Sequence, residues 1–245
     1  MLAVQLSTVA VVVAIGATLA WFGLFAYSRI SLGNATTKVR RQMLKPVGET
    51  VVLGDEELLR STLTDGIEEM RRAGCKYLAA IATPGHPVAI LLADDRTVAE
   101  VTEHPWMRSA VIELTSVLMG EQGMLCTSNS PFHADMWDGE FRQTFLGGTP
   151  AELLAHHREA LGSLAEHGIT ADAVREPEVL DVRARMLARS NAGAASADRK
   201  RIQTELRRMA ERRPGPVGRL QDLPDFGGRL DAFWRLMSST PSQPG

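Results

Sequence analysis

YLAAIATPGHPVAILLADDRTVAEVTEHPWMRSAVIELTSVLMGEQGMLCTS, residues 77–128, is the stretch whose reading decides the fold. It holds short apolar or β-branched runs at Tyr77–Ala82, Val88–Ala93, Thr97–Thr102, Ala110–Leu118 and Met124–Ser128. Turn material separates them: Pro84-Gly85-His86-Pro87, Asp94-Asp95, His104-Pro105 and Gly120-Glu121-Gln122-Gly123. Connections this short cannot carry crossover helices, so the runs predict five strands paired antiparallel in a meander.

The period changes on either side of this stretch. From Asp55 to Ala73, the residues Leu59, Leu63, Ile67 and Met70 recur with helical spacing, and Gly74 stands where a helix-ending glycine belongs. After the strands, Asn129–Gly148 reads as a long irregular loop carrying Phe132, Trp137, Phe141 and Phe145, too apolar for a disordered linker and expected to fold onto the sheet. Thr149-Pro150-Ala151-Glu152 is a capping box with proline at the first helical position. The helix it starts buries Leu153, Leu154, Leu161 and Leu164 and stops at Gly168. Two more helices are predicted, over Glu178–Arg189 and Asp198–Arg213, with the Ala/Gly/Ser-rich Asn191–Ala197 between them. Pro214-Gly215-Pro216 breaks the chain before a last amphipathic piece with Leu230, Phe233, Trp234 and Met237.

Residues Leu2–Ser28 carry no charge, and as a helix these 27 residues extend roughly 40 Å, more than the roughly 30 Å of a bilayer's hydrocarbon. A cleaved signal peptide fits poorly: no Lys or Arg precedes the run, and it ends in Trp21, Phe22, Phe25 and Tyr27 rather than in small residues. Trp21 and Tyr27 read as interfacial aromatics, with Arg29, Lys38, Arg40 and Arg41 at the headgroups beyond them. The basic residues follow the span and none precedes it, so the expected topology is single-pass, with the N-terminus outside and the rest cytoplasmic. A bacterial inner membrane is the expected setting. Gly16, Ala20 and Gly23 share one helical face, a surface that lets another membrane helix approach closely.

Charge is segregated along the chain. Acidic and basic residues number 0 and 5 in residues 1–48, 20 and 8 in 49–174, and 6 and 12 in 175–219. An acidic middle is thus bracketed by basic segments, which can lie against that acidic domain or face anionic lipid headgroups. The basic segment 198–213 lacks the aromatics that stack on bases, which argues against nucleic acid as a partner. Cys75 and Cys126 have no CxxC spacing and read as buried free thiols.

Candidates for chemistry are sparse. His133, Asp135 and Trp137 in the aromatic loop, with His157 in the following helix, form a speculative pocket whose His and carboxylate groups suit a divalent metal or acid–base work. Their spacing matches no established site. The chain contains no GxSxG, HExxH, P-loop or GxGxxG pattern. No catalytic residue, metal ligand or cofactor site is therefore assigned.

The expectation is an α+β protein: a transmembrane anchor over 1–28, a basic linker over 29–48, an α+β domain over 49–174 with about five antiparallel strands flanked by helices, a basic helical region over 175–237, and a disordered tail over 238–245. Its implied role is non-enzymatic, as an accessory, assembly or scaffolding subunit whose partners are membrane lipids and another membrane protein or a second copy. The alternatives are a membrane-tethered small-ligand sensor and a membrane-anchored hydrolase or metalloenzyme using His133, Asp135 and His157.

Overall fold

The computed structural model describes residues 51–52, 63–83, 86–102, 110–130, 139–196, 204 and 217–239. The uncharged run 2–28 and the basic linker after it lie outside the described residues, as do His133, Asp135 and Trp137. Among the described residues no helix is long and apolar enough to cross a membrane.

The fold is α+β. One sheet contains, in spatial order, β1 (Val51–Val52), β2 (Lys76–Thr83), β3 (His86–Leu92), β4 (Val98–Thr102), β5 (Val111–Leu118), β6 (Gly123–Ser128) and β7 (Glu140–Thr144). Strands β2 to β6 are the five runs read from the sequence, paired antiparallel as neighbours. The sheet extends further at both edges, with the two-residue β1 beside β2 and β7 beside β6. The pairing of β6 with β7 is parallel, which makes the sheet mixed rather than antiparallel.

Strand β7 corrects the reading of residues 129–148 as an irregular loop. Phe141 and Gln143 alternate with Glu140, Arg142 and Thr144, a period of two in which every side chain is buried. The apolar criterion missed it because four of its five residues are polar.

Helix α1 (Leu63–Arg72) ends at Gly74, whose φ of +97° suits glycine. Helix α2 (Pro150–Glu166) has the predicted capping box, with the Thr149 hydroxyl and the Glu152 carboxylate serving each other's backbone N–H. Helix α3 (Val179–Ser196) follows a 3₁₀ turn at Glu176–Glu178, and α4 (Phe226–Ser239) follows another at Leu220–Asp222. Helix α3 corrects the expected helix end at Arg189 and the joining stretch from Asn191, because the helix runs on to Ser196; alanine is the strongest helix former and carries that segment. Of the helix predicted over 198–213, only Thr204 is described, and it is helical.

Alternation along the strands gives the sheet two unlike faces. The first buries Ala89, Leu91, Ala99, Val101, Ile112, Leu114, Leu118, Leu125 and Phe141, and α1, α2 and α4 all pack against it. Helix α1 sits so close that a Cβ on Gly66 would lie 2.7 Å from Val101 Cγ1 and 2.8 Å from Ala110 Cβ. On the second face, Ile81, Val88, Ile90, Val98, Val117, Met124 and Cys126 meet Val174 and, from α3, Val179, Val182 and Met186.

The β5–β6 turn is a single left-handed helical turn. Met119, Gly120 and Glu121 have φ of +51°, +64° and +64°, and Gln122 N–H donates to the Leu118 carbonyl at 3.0 Å. Two non-glycine residues in this conformation cost on the order of 1–2 kcal/mol each. The Asp172 carboxylate offsets that cost by accepting from the Gly120 and Glu121 N–H groups at 2.7 and 3.1 Å.

Candidate functional site

Two polar clusters are built into the sheet, one on each face. On the first face, the apolar stripe of α2 formed by Leu153, Ala160 and Leu164 includes His157, which the helix delivers into the core at 0% exposure. Opposite it, β5 contributes Ser116 at an inward position between Leu114 and Leu118, and β6 contributes Thr127 beside Leu125. His157 Nε2 lies 2.9 Å from Ser116 Oγ, and Nδ1 lies 2.8 Å from Thr127 Oγ1.

The rest of the network assigns the proton positions. Gln143 Oε1 accepts from Leu220 N–H at 2.8 Å, which fixes its amide so that Nε2 donates to Thr127 Oγ1 at 2.8 Å and to the His156 carbonyl at 3.0 Å. Thr127 Oγ1 is then an acceptor whose own proton goes to His157 Nδ1. That leaves a neutral imidazole carrying its proton on Nε2 and donating to Ser116, whose hydroxyl lies 3.3 Å from Thr97 Oγ1. Burial drives the same outcome, lowering the His157 pKa from 6.5 to about 3.

A serine bonded to a histidine invites a nucleophilic reading, and the geometry argues against it. A serine nucleophile needs an accessible Oγ, a protonatable base and a group that stabilises the imidazolium. Ser116 and His157 are both sealed from solvent, the imidazole is too weak a base at neutral pH, and Nδ1 meets a hydroxyl rather than a carboxylate. The cluster ties α2, β5, β6, β7, Thr97 just before β4, and the turn at Leu220 together.

The second-face cluster is ionic. Glu100 on β4 stands directly across from Glu113 on β5, an arrangement that is destabilising for like charges unless cations intervene. Arg183 of α3 donates to both oxygens of Glu100 at 2.7 and 2.8 Å. Arg142 of β7 donates from Nη1 to Glu113 at 2.9 Å and from Nε to Glu140 at 2.7 Å. Burial alone would lower the Arg142 pKa, but Glu140 and Glu113 outweigh it and hold the guanidinium firmly charged. Burial and Glu100 oppose each other in the same way at Arg183, again with a net rise.

Further out, Arg185 bonds Glu121 at 2.6–3.1 Å, and its hydrogen bond keeps the Glu121 carboxyl below its ordinary range. Arg189 donates to the Glu121 carbonyl. Arg175 pairs with Glu178 and Arg219 with Glu159. Every described arginine between 175 and 219 is thus engaged within the chain.

The structure places one member of the speculative pocket, His157, and engages both of its ring nitrogens in the core. Trp21, Tyr27, Arg29, Lys38, Arg40, Arg41, Gly16, Ala20 and Gly23 lie outside the described residues. Among the described residues, no three His, Cys, Asp or Glu side chains converge as a metal site. Cys75 and Cys126 are free and buried on opposite faces; burial raises the Cys75 thiol to about 11 and that of Cys126 well above its ordinary value.

Sequence reasoning overlooked Ser116 and Gln143, although a signal existed. Each occupies the inward position of a period-two strand, and His157 falls four residues after Leu153 and seven before Leu164. Comparison with protein-family models, with curated proteins and with solved structures gave no match. Fold and site together define an α+β domain whose described interior polar groups are bonded largely to one another.

Proposed function

We propose that the chain is a single-pass membrane protein serving as an accessory, assembly or scaffolding subunit, holding an α+β domain at the cytoplasmic surface. One observation carries this reading: the uncharged run Leu2–Ser28, closed by Trp21, Tyr27 and Arg29 and followed by Lys38, Arg40, Arg41 and Lys45. The Gly16, Ala20 and Gly23 face supplies a surface on which a second membrane helix packs.

Of the domain's described arginines between 175 and 219, Arg175, Arg183, Arg185 and Arg219 pair with its own carboxylates and Arg189 bonds the Glu121 carbonyl. The juxtamembrane cluster and the basic residues of 199–213 are therefore the sequence's remaining candidates for lipid headgroups.

Solubilisation of native membranes in mild detergent, followed by native-size analysis, tests the proposal. The expected result is a particle larger than one chain with a co-purifying membrane protein or a second copy, which Gly16→Leu and Gly23→Leu dissociate. A monodisperse monomer with no co-purifying membrane protein contradicts it.

A further inference from the structure

Helix α3 is held differently from the other helices. Its buried residues are Val179, Val182 and Met186, all in its first half, and from Leu187 to Ala192 no described side chain is buried. Its remaining hold on the sheet is ionic: Arg183 on Glu100, Arg185 on Glu121 and Arg189 on the Glu121 carbonyl. Lys76 of β2 pairs with Glu176 just before the helix.

The segment preceding α3 is fixed by backbone hydrogen bonds instead. Met119 N–H donates to the Thr170 carbonyl at 3.1 Å, Asp172 N–H to Val117 at 2.9 Å and Val174 N–H to Asp95 at 2.7 Å. The chain is therefore anchored up to Val174, and the short stretch between there and Val179, which holds only the three-residue 3₁₀ turn Glu176–Glu178, is where α3 can pivot.

We propose that α3 is an electrostatic strap across the second face, opening as a unit about residues 175–178 while the first face stays closed. Opening strips Glu100 of the Arg183 guanidinium while Glu113, directly across from it, keeps Arg142, so the repulsion between the two carboxylates is less fully offset. It also uncovers an apolar floor around Val117, Met124 and Cys126. Salt weakens the hold by screening the more exposed Arg185–Glu121 and Lys76–Glu176 pairs, and less so the mostly buried Arg183–Glu100 pair, whereas the apolar packing of the first face is insensitive to moderate salt.

The two cysteines report the two faces within one molecule. Cys126 lies in the cluster that α3 covers, and Cys75 lies in the cluster under α1 and α2. The full-length chain in mild detergent is treated with N-ethylmaleimide at low and high NaCl, and modification of each cysteine is followed by peptide mass spectrometry. Hydrogen exchange of the amides of 179–190 is followed in parallel. The strap predicts that Cys126 and those amides react faster than Cys75 and α1, and that salt widens the gap.

Arg183→Gln widens it by roughly tenfold or more, as loss of a charge-assisted bidentate pair implies. Glu100→Gln has a smaller effect, because it removes the pair and the Glu100–Glu113 repulsion together. Equal rates for the two cysteines in the wild type at both salt concentrations overturn the proposal, as does an Arg183→Gln effect no larger than that of Glu100→Gln. The wild-type salt arm stands even if a variant fails to fold.

Discussion

The two faces of the sheet are made from the same strands and closed by different physics. The first face takes alternate residues of β3 to β7 and seals them under three helices with leucine, isoleucine and phenylalanine, around one neutral hydrogen-bonded network. The second takes the intervening residues and closes them under half of one helix, with largely buried ion pairs beside the apolar cluster. Apolar packing is insensitive to screening and short-ranged; charge pairing is specific and weakened by salt. The first face accordingly carries the stability of the domain, and the second carries whatever the domain can change.

The largest expected effect lies on the first face and depends on pH. His157 is neutral with a folded pKa of about 3 against 6.5 unfolded, so between those values the unfolded chain binds more protons than the folded one. Stability from this group is complete above pH 6.5 and is lost progressively as pH falls toward 3, on the order of 4–5 kcal/mol in full. Urea titrations across this window, wild type against His157→Gln, should show the difference between the two shrinking with acidity. A pH-independent difference breaks the assignment of a neutral imidazole.

Next in size, Phe233→Ala removes a ring that is fully buried against Phe141 at a centroid distance of 5.5 Å. A loss of about 3–5 kcal/mol is expected in denaturant unfolding. Gly66→Ala forces α1 away from Val101 and Ala110 and should cost about 1–3 kcal/mol by the same measurement. Smaller still, Thr149→Ala removes the α2 capping box for about 1 kcal/mol. None of these first-face changes should speed Cys126 modification beyond its wild-type rate; if one does, the faces are not independent.

The faces also differ in how well the sequence foretold them. Helix α1, the cap of α2 and strands β2 to β6 were legible because each has one apolar stripe at one period, bounded by Gly, Pro or a capping residue. Strand β7 was not, since Glu140, Arg142, Gln143 and Thr144 are buried polar residues whose partners come from β5, β6 and the turn at Leu220. Local pattern cannot reveal a polar group satisfied by tertiary contacts. The continuation of α3 through the Ala/Gly/Ser stretch was missed because small residues read as linker. At the site, the location of His157 on the buried stripe of its helix was available, but its hydroxyl partners required the strand register. The arginines of 175–189 were legible as a basic segment, and only the fold reveals that they face the acidic domain.

The account rests above all on the uncharged run Leu2–Ser28 acting as a retained membrane anchor. Alkaline carbonate extraction of membranes containing the full chain measures this directly, because it releases peripheral proteins and leaves spanning ones behind. The account predicts that the chain stays in the pellet, whereas the chain lacking residues 1–28 does not. Recovery of the full chain in the supernatant would contradict it.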